Sequence, residues 1–127
     1  MQDQDWPIIF SYSRKQALED GVLVDASNAA QALGFKQPVA IGDNLFNRFV
    51  IPPAELEGEG QSIEGRLHDL LMLAMVAARK GLNQDRVLFD VLFVMRPGGR
   101  EKVRCVIHVG PGDQGEPVIT ICLPEDL

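Results

Sequence analysis

The strongest constraint on this chain is a run of strict alternation, Arg86–Met95, in which Phe89, Val91, Phe93 and Met95 recur at every second position. A period of two places these four side chains on one side of a strand. Pro97-Gly98-Gly99 follows at once and signals a hairpin turn. Val103, Cys105, Ile107 and Val109 then continue the same pattern on the return strand, Lys102–Val109. After Gly110–Pro117, the residues Ile119, Ile121 and Leu123 repeat it in Val118–Leu123. A small antiparallel sheet with one apolar face is stable only when something covers that face.

The cover is expected from Ile63–Lys80, which opens after Ser62 and closes at Gly81. Leu67, Leu70, Leu71, Ala74 and Ala78 fall on one face at helical spacing, and Met72, Leu73, Met75, Val76 and Ala77 make the helix apolar on nearly every side. Such a helix is expected to be central and buried, with only Glu64–Asp69 polar. Shorter elements precede it. Ser13 and Gln16 have the spacing of a capping box for a helix over Arg14–Asp20, stopped at Gly21. That helix carries bases at its start and acids at its end, opposite to what its dipole favours. Val22–Val24 and Pro38–Ile41 read as short extended pieces, and Asn28–Leu33 and Asn44–Val50 as helices. Pro52-Pro53 ends the last of these, and Ala54–Gln61 reads as a mobile loop. Trp6 is a candidate anchor in the polar start, and an apolar stretch opens at Ile8. The expectation is a single α+β domain over residues 1–127. It has a mainly antiparallel C-terminal sheet of about three strands, packed against a long central helix and short N-terminal helices.

Charge narrows the functional classes. The chain carries a formal net charge of −6. All of it lies in residues 1–65, with ten acids against four bases; residues 66–127 hold eight of each. Direct binding to nucleic-acid phosphates is not expected from this balance. An acidic surface that meets a basic protein partner is a candidate; ordinary solvation is the plainer alternative. No apolar run is long enough for a membrane span. The two cysteines and two histidines are too far apart for a metal pattern, so neither metal nor cofactor is expected. With no secretory signal pattern at the start, the setting read from the sequence is cytoplasmic, with free thiols. Cys105 is expected to face the core and Cys122 the other side of the sheet. The sequence sets no oligomeric state.

Four stretches, "IFSYSRKQALEDGVLVD" (Ile9–Asp25), "GFKQPVAI" (Gly34–Ile41), "GRLHDLLMLA" (Gly65–Ala74) and "GPGDQGEPVITICLP" (Gly110–Pro124), occur in this order. Together they make the chain resemble a family of small bacterial proteins of unknown function, often carried on plasmids, phages and integrated elements. The resemblance implies a bacterial, cytoplasmic setting and a mobile-element origin. It assigns no role to any residue.

Three places have candidate chemistry. Gly110, Gly112 and Gly115 would let backbone N–H groups approach an anion, but a strand follows where phosphate loops have a helix, and Asp113 and Glu116 would repel phosphate. The favoured reading is a loop that only turns the chain. By the parity of the alternation, Leu88, Asp90, Leu92 and Val94 share the outer sheet face with Arg104, Val106, His108, Val118, Thr120 and Cys122. Asp90 beside His108 would orient an imidazole for acid–base work. Tyr12 and Arg14, with Arg66, His68 and Asp69, form a third polar set able to hold a carboxylate or phosphate. In both of these, ordinary structure is the favoured reading. The candidate ligand or partner residues are therefore Tyr12, Arg14, His68, Asp90 and His108. The leading function is a non-enzymatic interaction or regulatory accessory protein with an acidic partner-binding surface. The alternative is a small enzyme or ligand-binding domain built on the same polar residues.

Overall fold

The computed structural model describes residues 12–127 except Glu57 and Leu82. The candidate anchor Trp6 and the stretch opening at Ile8 fall outside the described residues. The elements run α1 (Arg14–Glu19), β1 (Leu23–Asp25), α2 (Ser27–Ala32), β2 (Val39–Gly42) and α3 (Asp43–Leu45), which continues as a π-helical turn (Phe46–Val50). A 3-10 turn (Ala54–Leu56), α4 (Ile63–Lys80), β3 (Arg86–Arg96), β4 (Gly99–Pro111), β5 (Pro117–Cys122) and a last 3-10 turn (Pro124–Asp126) complete the order.

The α+β class stands, but the expected three-stranded sheet does not. There are five strands in the order β1-β2-β5-β4-β3, and the sheet is mixed. β3, β4 and β5 pair antiparallel as their alternation requires, and β1 pairs antiparallel with β2. β2 lies parallel to β5, with Val39 opposite Ile119 and Ile41 opposite Ile121. All four residues of β2 are buried. A strand covered on both faces has no alternation to show, which is why Val39–Gly42 reads only as a short extended piece.

The core lies between the inner sheet face and α4. Leu70, Leu71, Ala74 and Ala77 meet Val91, Phe93, Val103, Cys105, Ile107, Ile119 and Ile121. α4 has the expected bounds and is capped by Ser62, whose hydroxyl accepts from the Gly65 N–H. It is the one long helix among the described residues, and it is not buried all round. Met72, Leu73 and Val76 are exposed, so the helix lies across the sheet as an outer layer with one face open. Ala54–Gln61 also differs from a mobile loop, because its 3-10 turn drives Leu56 into the interior.

One polar residue lies inside this core. Arg66, in the first part of α4 that reads as solvated, is 5% exposed. The cause is local. The Phe49 carbonyl, near the end of the π-helical turn, would seek an N–H about four residues on, and that residue is Pro53, which has none. Arg66 supplies the donors instead: Nε and Nη2 both donate to Phe49 O, at 2.9 and 2.6 Å. Nη1 donates to Val94 O on β3 and to Gln61 Oε1. The guanidinium lies 5.2 Å from the Phe93 ring centroid, a cation–π distance. Burial holds its pKa below the ordinary arginine value, and no carboxylate is among these partners.

Two stability predictions follow from this layering. Leu71→Ala, at a fully buried position, should cost about 2–5 kcal/mol through lost contacts and a residual cavity. Val76→Ala on the open face should cost under about 0.5 kcal/mol. Urea melts of both variants separate these outcomes, and equal effects would contradict the layering. Arg66→Met should cost about 1–3 kcal/mol for the buried Phe49 carbonyl left without its donors, and a smaller amount for the half-buried Val94 carbonyl. Arg66→Lys should recover only part of the loss, since one ammonium cannot span the three acceptors.

Candidate functional site

The outer sheet face is organised from the start of α1. Ser13 closes the capping box with Gln16, as the sequence reading expects. The helix N-terminus is also capped from outside. Asp113, in the loop between β4 and β5, accepts from the Arg14 N–H at 2.9 Å and from the Lys15 N–H at 3.0 Å. These two hydrogen bonds hold the Asp113 carboxyl below its usual pKa. The loop therefore does more than turn the chain: it places an anion on a helix N-terminus ninety-nine residues away in sequence from Arg14. The reversed charges of α1 also find their reason here. The Arg14 side chain crosses to β5, where Nη1 donates to Thr120 Oγ1 at 2.8 Å and Nη2 to the Ile119 carbonyl at 2.7 Å. Desolvation lowers its pKa, while Asp25, Asp113 and Glu116 partly offset the shift.

Ala17, Ala40, Val106, Val118 and Cys122 form a second set of buried residues, apart from the main core. Gly42 shows how close this layer is. A Cβ there would stand 2.9 Å from the Cys122 Cβ, which no rotamer can move. Cys122 pairs with Val106 on the outer side, while Cys105 belongs to the main core. Both thiols are free, on opposite faces, and burial pushes their pKa values to about 12 for Cys105 and about 11 for Cys122. A thiol held this far above neutral pH is a poor nucleophile.

The five candidate residues do not form one site. Arg14 and His108 come nearest to sharing one, since Arg14 bonds to Thr120 and His108 stands opposite Thr120 across the β4–β5 pair. The imidazole of His108 folds back over Gly110. Asp90 is not its orienting partner. It pairs with Arg104 at 2.7 Å, four positions and so about 13 Å along β4 from His108. Tyr12 is exposed and donates to Asp20 at the end of α1, a contact that raises the phenol pKa. His68 is exposed on α4 beside Asp69, at 3.6 Å. Arg66 of the same polar set is committed to the core, with the sheet between it and Arg14. Among the described residues no group of three or more His, Cys, Asp or Glu side chains could hold a metal ion, and no helix is long and apolar enough to cross a membrane.

The family's profile, described as a family of unknown function (DUF6573), matches residues 4–127. The chain belongs to this family. No curated protein and no solved structure matches it. With no activity to borrow from the family, the site must be read from this chain's own residues.

What those residues assemble is a basic and apolar surface on the open part of the outer face. Cross-strand pairs place Arg86 beside His108, Leu88 beside Val106, Asp90 beside Arg104, Leu92 beside Lys102 and Val94 beside Arg100. Leu88 and Leu92 are 55% and 57% exposed. On these two strands four bases and one acid flank them, on a chain whose net charge is −6. The sequence reading reached Leu88, Leu92 and Arg104 by parity. It passed over Arg86, Arg100 and Lys102, which the same parity would have found.

The Asp113 cap gives a pH test with a definite sign. Its folded pKa is depressed, so its contribution is fully present above the unfolded value of about 3.9 and is lost as pH falls through the lower folded value. Asp113→Ala should therefore lower the melting temperature at pH 7 and at pH 5 alike. The gap to the wild type should close as pH falls below about 4. A gap that stays constant to the acid limit would mean that Asp113 acts through loop shape and not through its charge.

Proposed function

We propose that this chain is a non-enzymatic interaction protein, an accessory module that binds a protein partner through the outer face of β3 and β4. One observation carries the proposal: Leu88 and Leu92 stand open to solvent among Arg86, Arg100, Lys102 and Arg104. Exposed apolar side chains grouped on one face and rimmed by charge are the usual mark of a protein-binding surface. The leucines supply area to bury, and the bases select the sign of the partner and speed the encounter. The partner chemistry that fits is an acidic segment carrying large apolar side chains. Charge alone points to the acidic first half as the binding surface; the leucines and their basic neighbours favour one of opposite sign. The bacterial, cytoplasmic and mobile-element setting implied by the resemblance belongs to the same proposal.

Selection of displayed random peptides on the full chain tests it. The enriched sequences should combine Asp or Glu with Trp, Phe, Leu or Ile. Their binding should weaken with salt, as rim charges require, and should be lost in Leu92→Asp, which keeps the fold because the side chain is already exposed. Enrichment of basic sequences, or binding that Leu92→Asp leaves unchanged, overturns the proposal.

A further inference from the structure

We infer that two copies of this chain pair through the outer edges of their β3 strands, which makes one continuous sheet with the two α4 helices side by side on its inner face. The inference goes beyond the partner surface proposed above and does not depend on it. It starts from the ladder between β3 and β4. The Val109 N–H donates to the Asp85 carbonyl at 2.8 Å. In an antiparallel pair, residues that exchange such bonds alternate with residues whose N–H and C=O point the other way. Continued along the register of β3 on β4, this gives Val87, Phe89 and Val91 to the ladder and turns the backbone groups of Arg86, Leu88, Asp90 and Leu92 to the outer edge. Val94 has the same parity as these four, and its carbonyl is met from outside the ladder by Arg66 Nη1.

That edge is long and poorly defended. β3 ends the sheet, and among the described residues no strand lies beyond it. Sheet edges are usually blunted by shortness, proline, lysine or a bulge. The opposite edge, β1, has three residues. β3 has eleven, with no proline and no lysine, and its register is irregular only between Val94 and Arg96. Arg66 closes the Val94 end alone. The open stretch, Arg86–Leu92, is centred on Phe89. It can pair antiparallel with its own copy about a two-fold axis that passes through that centre, normal to the sheet. Arg86 of one copy then stands diagonal to Asp90 of the other, a pairing of opposite charges. The outer faces of both copies look the same way, so their Leu88 and Leu92 side chains join in one patch.

α4 favours a second copy over a lone strand from another protein. It packs chiefly on β3, the outermost strand, and less on β4. One flank of the helix carries Met75, which lies against Gly34 just after α2, and α2 packs on β2, away from the β3 edge. At 3.6 residues per turn the opposite flank carries Asp69, Leu73 and Lys80, so it looks out past that edge. Leu73 there is 41% exposed. A helix seated between β3 and β4 lies about 5 Å from the proposed axis, given the spacing of paired strands. The two copies of α4 are then about 10 Å apart, which is a packing distance for helices. The two-fold axis sets them antiparallel. The Asp69 end of one meets the Lys80 end of the other, with Leu73 covered between them and Val76, higher on the helix, at the rim. A single extended segment would supply the strand and leave Leu73 bare.

Sedimentation equilibrium of the full chain, joined to amide hydrogen exchange, tests the pairing. The wild type should show twice the monomer mass and dissociate on dilution. Exchange at the Leu88 and Leu92 amides should slow as concentration rises, because these N–H groups find acceptors only across the new edge. Leu88→Pro removes an N–H that the β3–β4 ladder does not use, so the fold should persist while the dissociation constant rises by at least about tenfold. Leu73→Lys, which sets a second cation beside Lys80 of the other copy, should weaken pairing several-fold without touching β3. Far-ultraviolet circular dichroism checks that each variant is folded. A wild type that is monomeric at about 1 mM overturns the inference. So does a dimer that neither variant weakens, or one in which the Leu88 and Leu92 amides exchange at the same rate at every concentration. The peptide selection described above reads side chains on the outer sheet face, which this pairing leaves open, so the two ideas fail separately.

Discussion

The buried guanidinium of Arg66 is the contact on which the inner half of the structure depends. It joins the end of the π-helical turn, the start of α4, Gln61 in the preceding loop and the carbonyl of Val94 near the end of β3. Gln61 is local to Arg66, but Phe49 and Val94 lie 17 and 28 residues away in sequence, and all must be in place before the charge has its partners. Burying a cation is costly, so partial assembly is penalised more than it would be around a leucine. A buried polar group used in this way favours one arrangement of α4 on the sheet over its neighbours, at some cost in stability. The need for it traces back to Pro52-Pro53, which ends the π-helical turn sharply and strips the Phe49 carbonyl of a local donor.

The outer half is held by a different logic. α1 has only six residues, too few to be stable alone. It is fixed by contacts at both ends of one residue: the backbone N–H of Arg14 on Asp113, and its side chain on Thr120 and the Ile119 carbonyl. The glycines of the β4–β5 loop let the chain turn far enough to present that carboxylate, with Gly115 at a φ of 80°. Sheet, loop and helix are thereby locked together over β2 and β5, while β3 and the adjoining part of β4 stay open. Val118 and Cys122 on β5 are buried on the outer face, while Leu88 and Leu92 on β3 are exposed.

Much of the frame was legible in the sequence, and the parts that were not share a cause. The bounds of α4, the β3–β4 hairpin and the Ser13 cap all follow from patterns within a few residues, and the structure has them as read. The parallel β2–β5 pairing was missed because Val39–Gly42 is buried on both sides and carries no period, and because its partner lies some eighty residues on. The open face of α4 was missed because Met72, Leu73 and Val76 look the same in sequence whether buried or exposed. Asp113 looked like a reason for the loop not to bind an anion. It is instead the anion, and only the approach of α1 in space shows this. Asp90 and His108 share a face as parity demands, but parity does not set distance along a strand, and the Asp90 carboxylate is taken by Arg104.

The charge balance of the chain gains a structural meaning from these contacts. Averaged over the sequence it is −6, which argues against an acidic ligand. The average conceals an asymmetry that the sheet imposes, because residues two apart on β3 and β4 point the same way and gather Arg86, Arg100, Lys102 and Arg104 on one side. On β3 and β4 only Asp90 opposes them on this side, and it is paired with Arg104, while Glu125 of the last turn lies near Lys102 and Arg104. At physiological salt, charges more than about 8 Å apart act nearly independently, so a partner approaching this face meets the local bases and not the distant acids. The same screening explains why net charge is a weak guide to what a small domain binds. The relevant quantity is the sign of the charge within a Debye length of the exposed apolar area, and on this fold that area is Leu88 and Leu92.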